Sequence, residues 1–272
     1  MKQSITALLL AAGNGIRLRP YTNILPKCLM PIQGIPLLEY WLKSTKELDV
    51  SKVVVNLNYL ASTVKDFLMR PCFSNSVEFF YEAQLLGTAG TIRANYSVFA
   101  DSTLLLVHAD NFCQCDFNAF LRYHQYDRPL NCLMTMMTFD TSTPSTCGIV
   151  ETDQLGVVTA FYEKVANPPG NKANGAVYLL EPEILKWLNE HPEVQDFSTQ
   201  ALPEFMGRIA TWHNHQTHID IGTIESLCEA QKNQNLKLSK MDETKVDDWE
   251  KMFANHPIHH QLKCALNQKK NK

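Results

Sequence analysis

Two glycines and two cations near the amino terminus have the spacing of a phosphate-binding loop. Gly13 and Gly15 follow a buried apolar run that ends at Leu10, and Arg17 and Lys27 come shortly after them. Glycines let backbone N–H groups approach a phosphate closely, and fixed cations neutralise its charge. A tight turn is the alternative for an isolated Gly-x-Gly pair. The spacing favours a phosphate-binding loop.

The residues after these glycines exclude two familiar phosphate loops. A dinucleotide-binding fold would have a third glycine at position 18, where this chain has Leu18. A P-loop would continue with Gly-Lys-Ser or Gly-Lys-Thr, and neither sequence occurs here. Pro20, Pro26 and Pro31 instead restrict a long loop, which lowers the entropy cost of ordering it around a ligand.

Two aspartates stand beside segments that could carry a ligand site. Asp110 follows the apolar run Leu104–Val107, so it lies at the carboxyl end of a predicted strand, where open α/β sheets bind ligands. Asp220 stands directly before Ile221-Gly222-Thr223. For each aspartate taken singly, the alternative is a helix cap or a turn residue.

The glycine loop is the first of several motifs that occur in a fixed order. Leu10-Ala-Ala-Gly-Asn-Gly-Ile-Arg-Leu-Arg-Pro-Tyr-Thr, followed by Pro26-Lys27, resembles the signature G-x-G-x-R-L-x-P-x-T…P-K of sugar-1-phosphate nucleotidylyltransferases. The further matches are Leu86-Gly87-Thr88-Ala89-Gly90, Ala109-Asp110, Phe161-Tyr162-Glu163-Lys164, Asn174-Gly175 and Asp220-Ile221-Gly222-Thr223. The resemblance covers about residues 5 to 235, and the ordered combination makes it specific.

The resemblance implies an enzyme that transfers a nucleotidyl group from an NTP to a sugar 1-phosphate and releases pyrophosphate. A phosphate oxygen would attack the α-phosphorus of the NTP. That nucleophile is already largely ionised near neutral pH, because the second pKa of a phosphate monoester is about 6. No general base or Ser-His-Asp triad is then required, and catalysis would depend on positioning and charge neutralisation.

The resemblance also implies roles for single residues. Asp110 and Asp220 would hold Mg²⁺ between the reacting phosphates, which suits a hard cation with few protein ligands. Arg17 and Lys27 would neutralise the triphosphate, and Lys164 would bind the phosphate of the sugar 1-phosphate. Each of these cations could otherwise be a solvated charge. The implied substrate-binding residues are Leu10, Ala11, Ala12, Gly13, Gly15, Glu82, Gly87, Thr88, Glu163, Asn174 and Gly175.

Four of these residues are assigned to the sugar or the base. Glu163 would accept hydrogen bonds from sugar hydroxyls and Asn174 would bond the sugar; the alternatives are a strand-end charge pair and a hairpin turn. Glu82 and Gly87 would border the nucleobase. A carboxylate at Glu82 could accept from two guanine donors but from only one N–H of thymine or uracil, which favours GTP.

The resemblance is strongest to short, single-domain mannose-1-phosphate guanylyltransferases, so the expected reaction is GTP and mannose 1-phosphate to GDP-mannose. The Leu-Gly-Thr-Ala-Gly motif at 86–90 carries most of that preference. Heptose, glucose or another sugar 1-phosphate, and a thymidylyl or uridylyl donor, stay open. A catalytically silent nucleotide-sugar-binding subunit also stays open, although a pure binder has little need for two metal carboxylates. Leu18 disfavours a nicotinamide dehydrogenase.

The elements that position these residues follow from hydrophobic periodicity. Short apolar runs alternate with longer segments of helical spacing, which is typical of an α/β fold with a mostly parallel sheet between helices. The predicted strands are Ile5–Leu10, Val53–Leu57, Val77–Tyr81, Leu104–Val107, Leu133–Thr138, Gly148–Val150, Val157–Tyr162 and Ala176–Leu180. The predicted helices are Leu37–Leu48, Leu60–Met69, Thr88–Phe99, Phe117–Gln125, Pro182–Leu188, Ile224–Asn235 and Trp249–Phe253. The resemblance implies a Rossmann-like mixed sheet of the nucleotide-diphospho-sugar transferase type.

Composition and charge bound the organisation of the chain. With 272 residues, 45% of them hydrophobic, the chain can bury one sizeable core. We expect a nucleotidylyltransferase domain over residues 1–236 and a polar tail over 237–272 that is partly helical or disordered, its last dozen residues being disordered. The 25 Lys and Arg residues against 28 Asp and Glu residues create no basic field for nucleic acid.

The cysteines and the apolar runs indicate the compartment. The eight cysteines include no CxxC pair, so we interpret them as thiols of a cytoplasmic protein. No apolar run is long enough to cross a membrane. His213, His215 and His218 lack a matching ligand framework and are interpreted as ordinary histidines. The expected partners are an NTP and a sugar 1-phosphate, and a homodimer is left open.

Overall fold

A nine-stranded mixed sheet forms the centre of the molecule. The computed structural model describes residues 4–48, 50–232 and 246–270. In those ranges the strands are β1 (Ile5–Leu10), β2 (Pro31–Ile32), β3 (Ile35–Pro36), β4 (Lys52–Leu57), β5 (Val77–Tyr81), β6 (Thr103–His108), β7 (Asn111–Cys113), β8 (Met134–Asp140), β9 (Gly148–Thr152), β10 (Val158–Glu163), β11 (Lys172–Leu180), β12 (Ile209–His213) and β13 (His218–Asp220). The α-helices there are α1 (Leu37–Glu47), α2 (Ala61–Leu68), α3 (Thr88–Ala94), α4 (Tyr96–Phe99), α5 (Phe117–Arg122), α6 (Pro182–Glu190), α7 (Ile224–Ala230), α8 (Asp248–Ala254) and α9 (Pro257–Lys270).

Parallel and antiparallel pairs both occur in the sheet, and the β8–β12 pair is among the parallel ones. Its main path runs β10-β9-β11-β6-β1-β4-β5, and β8 and β12 continue from β11. Strands β6, β1, β4 and β5 are parallel, whereas β11 is antiparallel to β6, β8 and β9. Because β1 lies between β4 and β6, the carboxyl ends of these three strands meet at one edge, where open α/β sheets bind ligands. The predicted α/β fold with a Rossmann-like mixed sheet is confirmed.

Strand β1 is buried on both faces of the sheet. Ala7 and Leu9 belong to one apolar cluster, and Leu8 belongs to the other, because successive side chains of a strand point in opposite directions. Trp41 of α1 lies in the first cluster and Ile92 of α3 lies in the second. The result is a sheet covered by helices on both faces, as its continuous apolar strands require.

Some elements differ from those predicted. The helix predicted over Thr88–Phe99 is two helices, because Asn95 leaves helical geometry at φ −116° and its side chain donates to the Thr91 carbonyl. Strand β11 begins earlier than predicted, since an irregularity between Asn174 and Tyr178 lets the ladder with β8 continue on both sides of it. The sequence pattern does not predict β2, β3, β7, β12 or β13, and four of these have only two or three residues.

The carboxyl-terminal helices pack against the main core. Phe253 of α8, within the predicted helix Trp249–Phe253, and Ile258 and Leu262 of α9 are buried in the same cluster as Trp41. The prediction that the last dozen residues are disordered is therefore wrong for residues 261–270, which form the end of α9. The tail residues 237–245 and the last residues of the predicted helix Ile224–Asn235 lie outside the described ranges.

We find no helix in the described ranges that combines the length and the apolar character needed to cross a membrane.

Candidate active site

A cleft of about 490 Å³ opens at the carboxyl ends of β1, β4 and β6. The predicted site residues that line it are Leu10, Ala11, Ala12, Gly13, Gly15, Arg17, Lys27, Glu82, Gly87, Thr88 and Asp110. The lining residues that sequence reasoning missed are Asn14, Ile16, Cys28, Asn56, Leu85, Thr91, His108 and Gly222. The sequence contains a signal for Asn56 and His108, because both stand at the carboxyl end of a predicted strand, where ligands of α/β sheets bind.

The glycine loop folds back on itself at Gly15. This residue has φ 58°, and an added Cβ would lie 2.8 Å from Thr22 Cγ2 and 3.2 Å from Lys27 Cβ. The Thr22 hydroxyl donates to the Gly15 carbonyl at 2.9 Å, which closes the turn. Gly13 faces open space, with no atom within 4 Å of an added Cβ. The loop therefore needs glycine at 15 for its own turn, and at 13 it leaves the backbone accessible to a ligand.

Lys27 joins the two aspartates that the motifs suggest act together. Its Nζ lies 2.8 Å from Asp110 Oδ2 and 2.7 Å from Asp220 Oδ1. Arg17 Nη2 lies 3.0 Å from Asp220 Oδ2. The Lys27 side chain is only 7% exposed, whereas that of Arg17 is 66% exposed. One cation is thus fixed inside the cluster, and the other stands at its solvent side.

A two-stranded ladder brings the aspartates together from distant parts of the sequence. Asp110 immediately precedes β7, Asp220 ends β13, and Asp220 pairs with Asn111 in the antiparallel register. The Trp41 indole N–H donates to the Asn111 carbonyl at 2.9 Å, which ties the ladder to α1. Neither short strand is predictable from periodicity. Local sequence patterns therefore do not show how close together the two carboxylates lie.

The charges in this cluster stabilise one another. Burial by itself lowers the pKa of Lys27, but the charges and hydrogen bonds of Asp110 and Asp220 outweigh burial and raise that pKa above 10.5. Burial by itself raises the pKa of Asp220, but Lys27 and Arg17 reverse this effect and bring that pKa below 3.8. Lys27 is therefore a cation, and Asp220 an anion, across the neutral range.

The donor set fits a divalent cation such as Mg²⁺. Asp110 and Asp220 both direct a carboxylate oxygen at the Lys27 ammonium. Mg²⁺ is commonly held by one or two carboxylates and completes its shell with water and substrate phosphates. Across the ranges that the structure covers, no group of three or more His, Cys, Asp or Glu side chains could hold a metal by itself. Two carboxylates beside the glycine loop therefore fit a cation that would complete its coordination shell with other ligands.

Glu82 lies in the wall of the cleft and is 4% exposed. Its Oε1 accepts from Asn56 Nδ2 at 3.0 Å and from the Thr91 hydroxyl at 2.6 Å. Its Oε2 accepts from the Leu86 N–H at 3.2 Å. A carboxylate has about four acceptor positions, so about one is left, on Oε2. The pairing of Glu82 with two guanine donors would need two free positions.

Gly87 and Thr88 connect the same wall to the segment around residue 195. Gly87 has φ +76°, and an added Cβ would lie 2.5 Å from the Gln195 carbonyl oxygen. That carbonyl accepts from the Ala89 N–H at 2.9 Å. The Thr88 hydroxyl accepts from the Phe197 N–H at 2.6 Å. Glycine at 87 thus permits a close contact between two backbone segments.

The predicted sugar-binding residues are not among those that line the cleft. Lys164 Nζ lies 2.8 Å from Glu163 Oε1, and the Lys164 side chain is 64% exposed. Asn174 Nδ2 donates to the Tyr178 hydroxyl at 2.6 Å. The hairpin alternative for Asn174 and Gly175 is wrong, because both lie inside β11. The structure therefore assembles Arg17, Lys27, Asp110 and Asp220 in one contact cluster and leaves Lys164 outside it.

Two further lining residues, His108 and Cys28, are neutral. Burial lowers the pKa of His108, whose Nε2 is buried and has no hydrogen-bond partner among the described residues. Burial raises the pKa of the Cys28 thiol to about 12. At pH 7 neither side chain adds charge to the cleft, and Cys28 is not a thiolate nucleophile.

The comparisons with known proteins agree with this geometry. The family model described as Nucleotidyl transferase matches residues 6–236. A mannose-1-phosphate guanyltransferase of Emericella nidulans is 28% identical over 194 residues, which are 68% of this chain and 52% of that protein. A UTP--glucose-1-phosphate uridylyltransferase of Synechocystis is 26% identical over 196 residues, 67% of this chain and 50% of that protein. The chain spans about half the length of the curated relatives it matches.

Solved structures share the fold. HddC from Yersinia pseudotuberculosis complexed with GMP-PN aligns with a TM-score of 0.69 and 23% identity, over 83% of this chain and 97% of that one. The ordered motifs, the cleft at the sheet edge and the match over most of the chain lead to one conclusion. The chain belongs to the nucleotidyl transferase family.

Proposed function

We propose that this protein transfers a nucleotidyl group from an NTP to a sugar 1-phosphate and releases pyrophosphate. The observation that carries the proposal is the cluster of Arg17, Lys27, Asp110 and Asp220 beside the glycine loop. Phosphoryl and nucleotidyl transfer depend on positioning and on neutralising charge at the phosphates. One buried cation, one exposed cation and two carboxylates at the carboxyl edge of the parallel strands would supply those functions.

In the proposed reaction a phosphate oxygen of the sugar 1-phosphate attacks the α-phosphorus of the NTP. A new bond forms between that oxygen and the α-phosphorus, and the bond to the bridging oxygen of the β-phosphate breaks. Arg17 and Lys27 neutralise the triphosphate and the departing pyrophosphate, and Lys164 binds the sugar phosphate. Asp110 and Asp220 would hold Mg²⁺. When bound, that ion would withdraw charge from phosphate oxygens.

The best candidate for the substrate pair is GTP with mannose 1-phosphate, which would give GDP-mannose. Support comes from the Leu-Gly-Thr-Ala-Gly motif and from relatives named mannose-1-phosphate guanyltransferases. Because Glu82 has about one acceptor position left, the base preference depends on these similarities more than on that carboxylate. A uridylyl or thymidylyl donor and another sugar 1-phosphate are the competing assignments, since a relative of similar identity is a uridylyltransferase.

The test is pyrophosphate release with Mg²⁺ over a grid of GTP, ATP, UTP and dTTP against several sugar 1-phosphates. We expect turnover with GTP and mannose 1-phosphate, and a loss of roughly 100-fold or more in Asp110→Asn. Asp101→Asn is the matched control, because Asp101 is exposed and precedes the opposite end of β6. Its turnover should equal that of the wild type.

Each other outcome of this grid has a defined meaning. Turnover with a different pair of NTP and sugar 1-phosphate would support the same reaction with other substrates. Full activity of both Asp110→Asn and Asp220→Asn would contradict the metal assignment. If no pair gives turnover but the protein still binds an NDP-sugar, the enzyme assignment would be replaced by that of a nucleotide-sugar-binding regulatory subunit.

A further inference from the structure

Three buried polar side chains form a hydrogen-bonded chain behind the nucleotide half of the cleft. Asn56 and Glu82 are each 4% exposed, and Thr91 is 1% exposed. They come from three separate elements: the end of β4, the segment that follows β5, and α3. Buried polar groups are costly unless they are paired, so a satisfied chain of this kind fixes the relative positions of the elements that carry it.

Asn56 uses both ends of its amide. Its Oδ1 accepts from the backbone N–H of Ala11 at 2.7 Å, and its Nδ2 donates to Glu82 Oε1 at 3.0 Å. The orientation of the amide is unambiguous, because the Ala11 N–H can only donate and a carboxylate can only accept. Asn56 therefore connects the glycine loop to Glu82 in the cleft wall.

The remaining contacts of Glu82 hold the segment 82–87 in shape. The Thr91 hydroxyl lies 2.6 Å from Oε1, and the Leu86 N–H lies 3.2 Å from Oε2. Asn58 Nδ2 donates to the Glu82 carbonyl at 2.8 Å. With these partners in place, Oε1 is fully used and Oε2 keeps about one acceptor position, so the carboxylate has one direction in which it can receive an N–H.

We propose that Asn56 is a positioning residue for the nucleoside of the NTP. It acts through Glu82, whose remaining acceptor position takes a ring or exocyclic N–H of the base, and through Ala11, whose N–H it holds in the glycine loop. This inference rests on the proposed function. The amide at position 56 meets both requirements, whereas ionised aspartate lacks the donor and leucine lacks both groups.

The test is equilibrium binding of GTP with Mg²⁺ to the full chain, which does not require turnover. Asn56→Asp keeps the acceptor for Ala11 but puts a second carboxylate against Glu82. We expect it to weaken GTP binding by about tenfold, because it loses a buried hydrogen bond to a charged group. In a separate turnover assay the Michaelis constant for the sugar 1-phosphate should stay unchanged, because Lys164 and Glu163, which we assign to that substrate, do not line the cleft.

A second substitution makes the interpretation specific. Glu82→Gln in the Asn56→Asp background restores a donor facing an acceptor, so GTP should bind more tightly to the double variant than to Asn56→Asp alone. Asn131→Asp is the matched control, because Asn131 is exposed and its amide donates to the Gly207 carbonyl on another part of the molecule. It should bind GTP like the wild type. Thermal melting of every variant identifies any that fails to fold.

The outcomes separate this inference from the proposed function. If the wild type binds GTP and folded Asn56→Asp binds it equally well, the positioning role is wrong and the proposed function stands. If the double variant shows no recovery, Asn56 does not act through Glu82. If the wild type binds none of GTP, ATP, UTP and dTTP in the same assay, both the positioning role and the nucleotidyl-transfer proposal are overturned.

Discussion

At the residue scale, Lys27 is the side chain on which the other charges of the cluster depend. It is nearly buried, and its ammonium donates to both Asp110 and Asp220. Removing one member of a buried ion pair leaves the other charge uncompensated, which costs more than the pair is worth. A substitution of any one of these three residues therefore changes the charge balance around the other two.

Asp220→Asn should flatten the acid dependence of stability. The pKa of Asp220 lies below 3.8 in the folded chain, so its ion pairs stabilise the fold above that ordinary value. This stabilisation is lost as the pH falls through the lowered pKa. Because the Asp220 side chain is 48% exposed, solvent screening limits the effect to roughly 1 kcal/mol. Urea unfolding of the wild type and D220N from about pH 7 to about pH 2 measures it, because the loss falls below the ordinary pKa.

The control for this experiment is again Asp101→Asn, which should keep the acid dependence of the wild type. Lys27 acts at the other end of the pH scale. Its pKa is raised above 10.5, so its contribution is complete below that value and is lost only as the pH rises through the raised pKa. An acid dependence of D220N equal to that of the wild type would show that Asp220 contributes no ion-pair stability.

At the scale of elements, Gly87 is the point where two segments meet. Gly87→Ala should lower the free energy of unfolding by roughly 1–3 kcal/mol, because φ +76° is strained for any side chain and the new Cβ would be 2.5 Å from the Gln195 carbonyl oxygen. Gly207→Ala is the matched control: Gly207 also has φ +76°, but nothing lies within 4 Å of an added Cβ. Urea unfolding should show the larger loss in G87A. Equal losses in the two variants would mean that the contact with Gln195 adds nothing to the loss of stability caused by the backbone conformation.

The elements that sequence reasoning predicted well are those with a local signal. The buried run Ile5–Leu10 is β1 with the predicted bounds, and Val77–Tyr81 is β5. Strands β7 and β13 have three residues each, and they exist because His218 pairs with Cys113 across the molecule. No local pattern encodes that pairing. The ordered motifs suggest that Asp110 and Asp220 act together, but their shared contact with Lys27 depends on this ladder.

The hydrogen-bond partners inside the cleft wall show the same limit. The sequence predicts that Glu82 borders the base, and Glu82 does line the cleft. Its three donors, Asn56, Thr91 and the Leu86 N–H, come from positions that periodicity treats as ordinary strand, helix and loop residues. How many acceptor positions a carboxylate has left depends on such partners, so sequence alone could not state it.

At the scale of the whole molecule, Arg70 attaches the carboxyl-terminal helices to the domain. Its side chain is 4% exposed, with Nε 2.7 Å from Asp247 Oδ2 and Nη1 3.1 Å from Glu39 Oε2. Nη2 also pairs with Glu250. The guanidinium lies over the Trp249 ring, 5.1 Å from its centroid. Arg70, which follows α2, thus holds residues of α1, of α8 and of the segment before α8 around one buried charge.

Arg70→Met should lower the free energy of unfolding by about 3–5 kcal/mol, because it leaves three carboxylates without their shared cation. Chemical denaturation measures the change. Arg122→Met is the control, since Arg122 is exposed on α5, and it should stay within about 0.5 kcal/mol of the wild type. A stable R70M with unchanged denaturation would show that apolar contacts alone attach the tail.

The homodimer and the cytoplasmic location stay predictions.

The pairing of each active-site cation with an anion of the protein has a consequence for how ligands arrive. Arg17 and Lys27 are matched by Asp220 and Asp110, and Lys164 by Glu163. These ion pairs leave little net positive charge to attract a polyanion, and the chain as a whole carries a formal charge of −3. Electrostatic steering raises association rates only where a net field reaches beyond the Debye length. Under the proposed function, nucleotide binding would be an exchange of partners at short range, in which phosphates would replace the carboxylates that now pair with these cations.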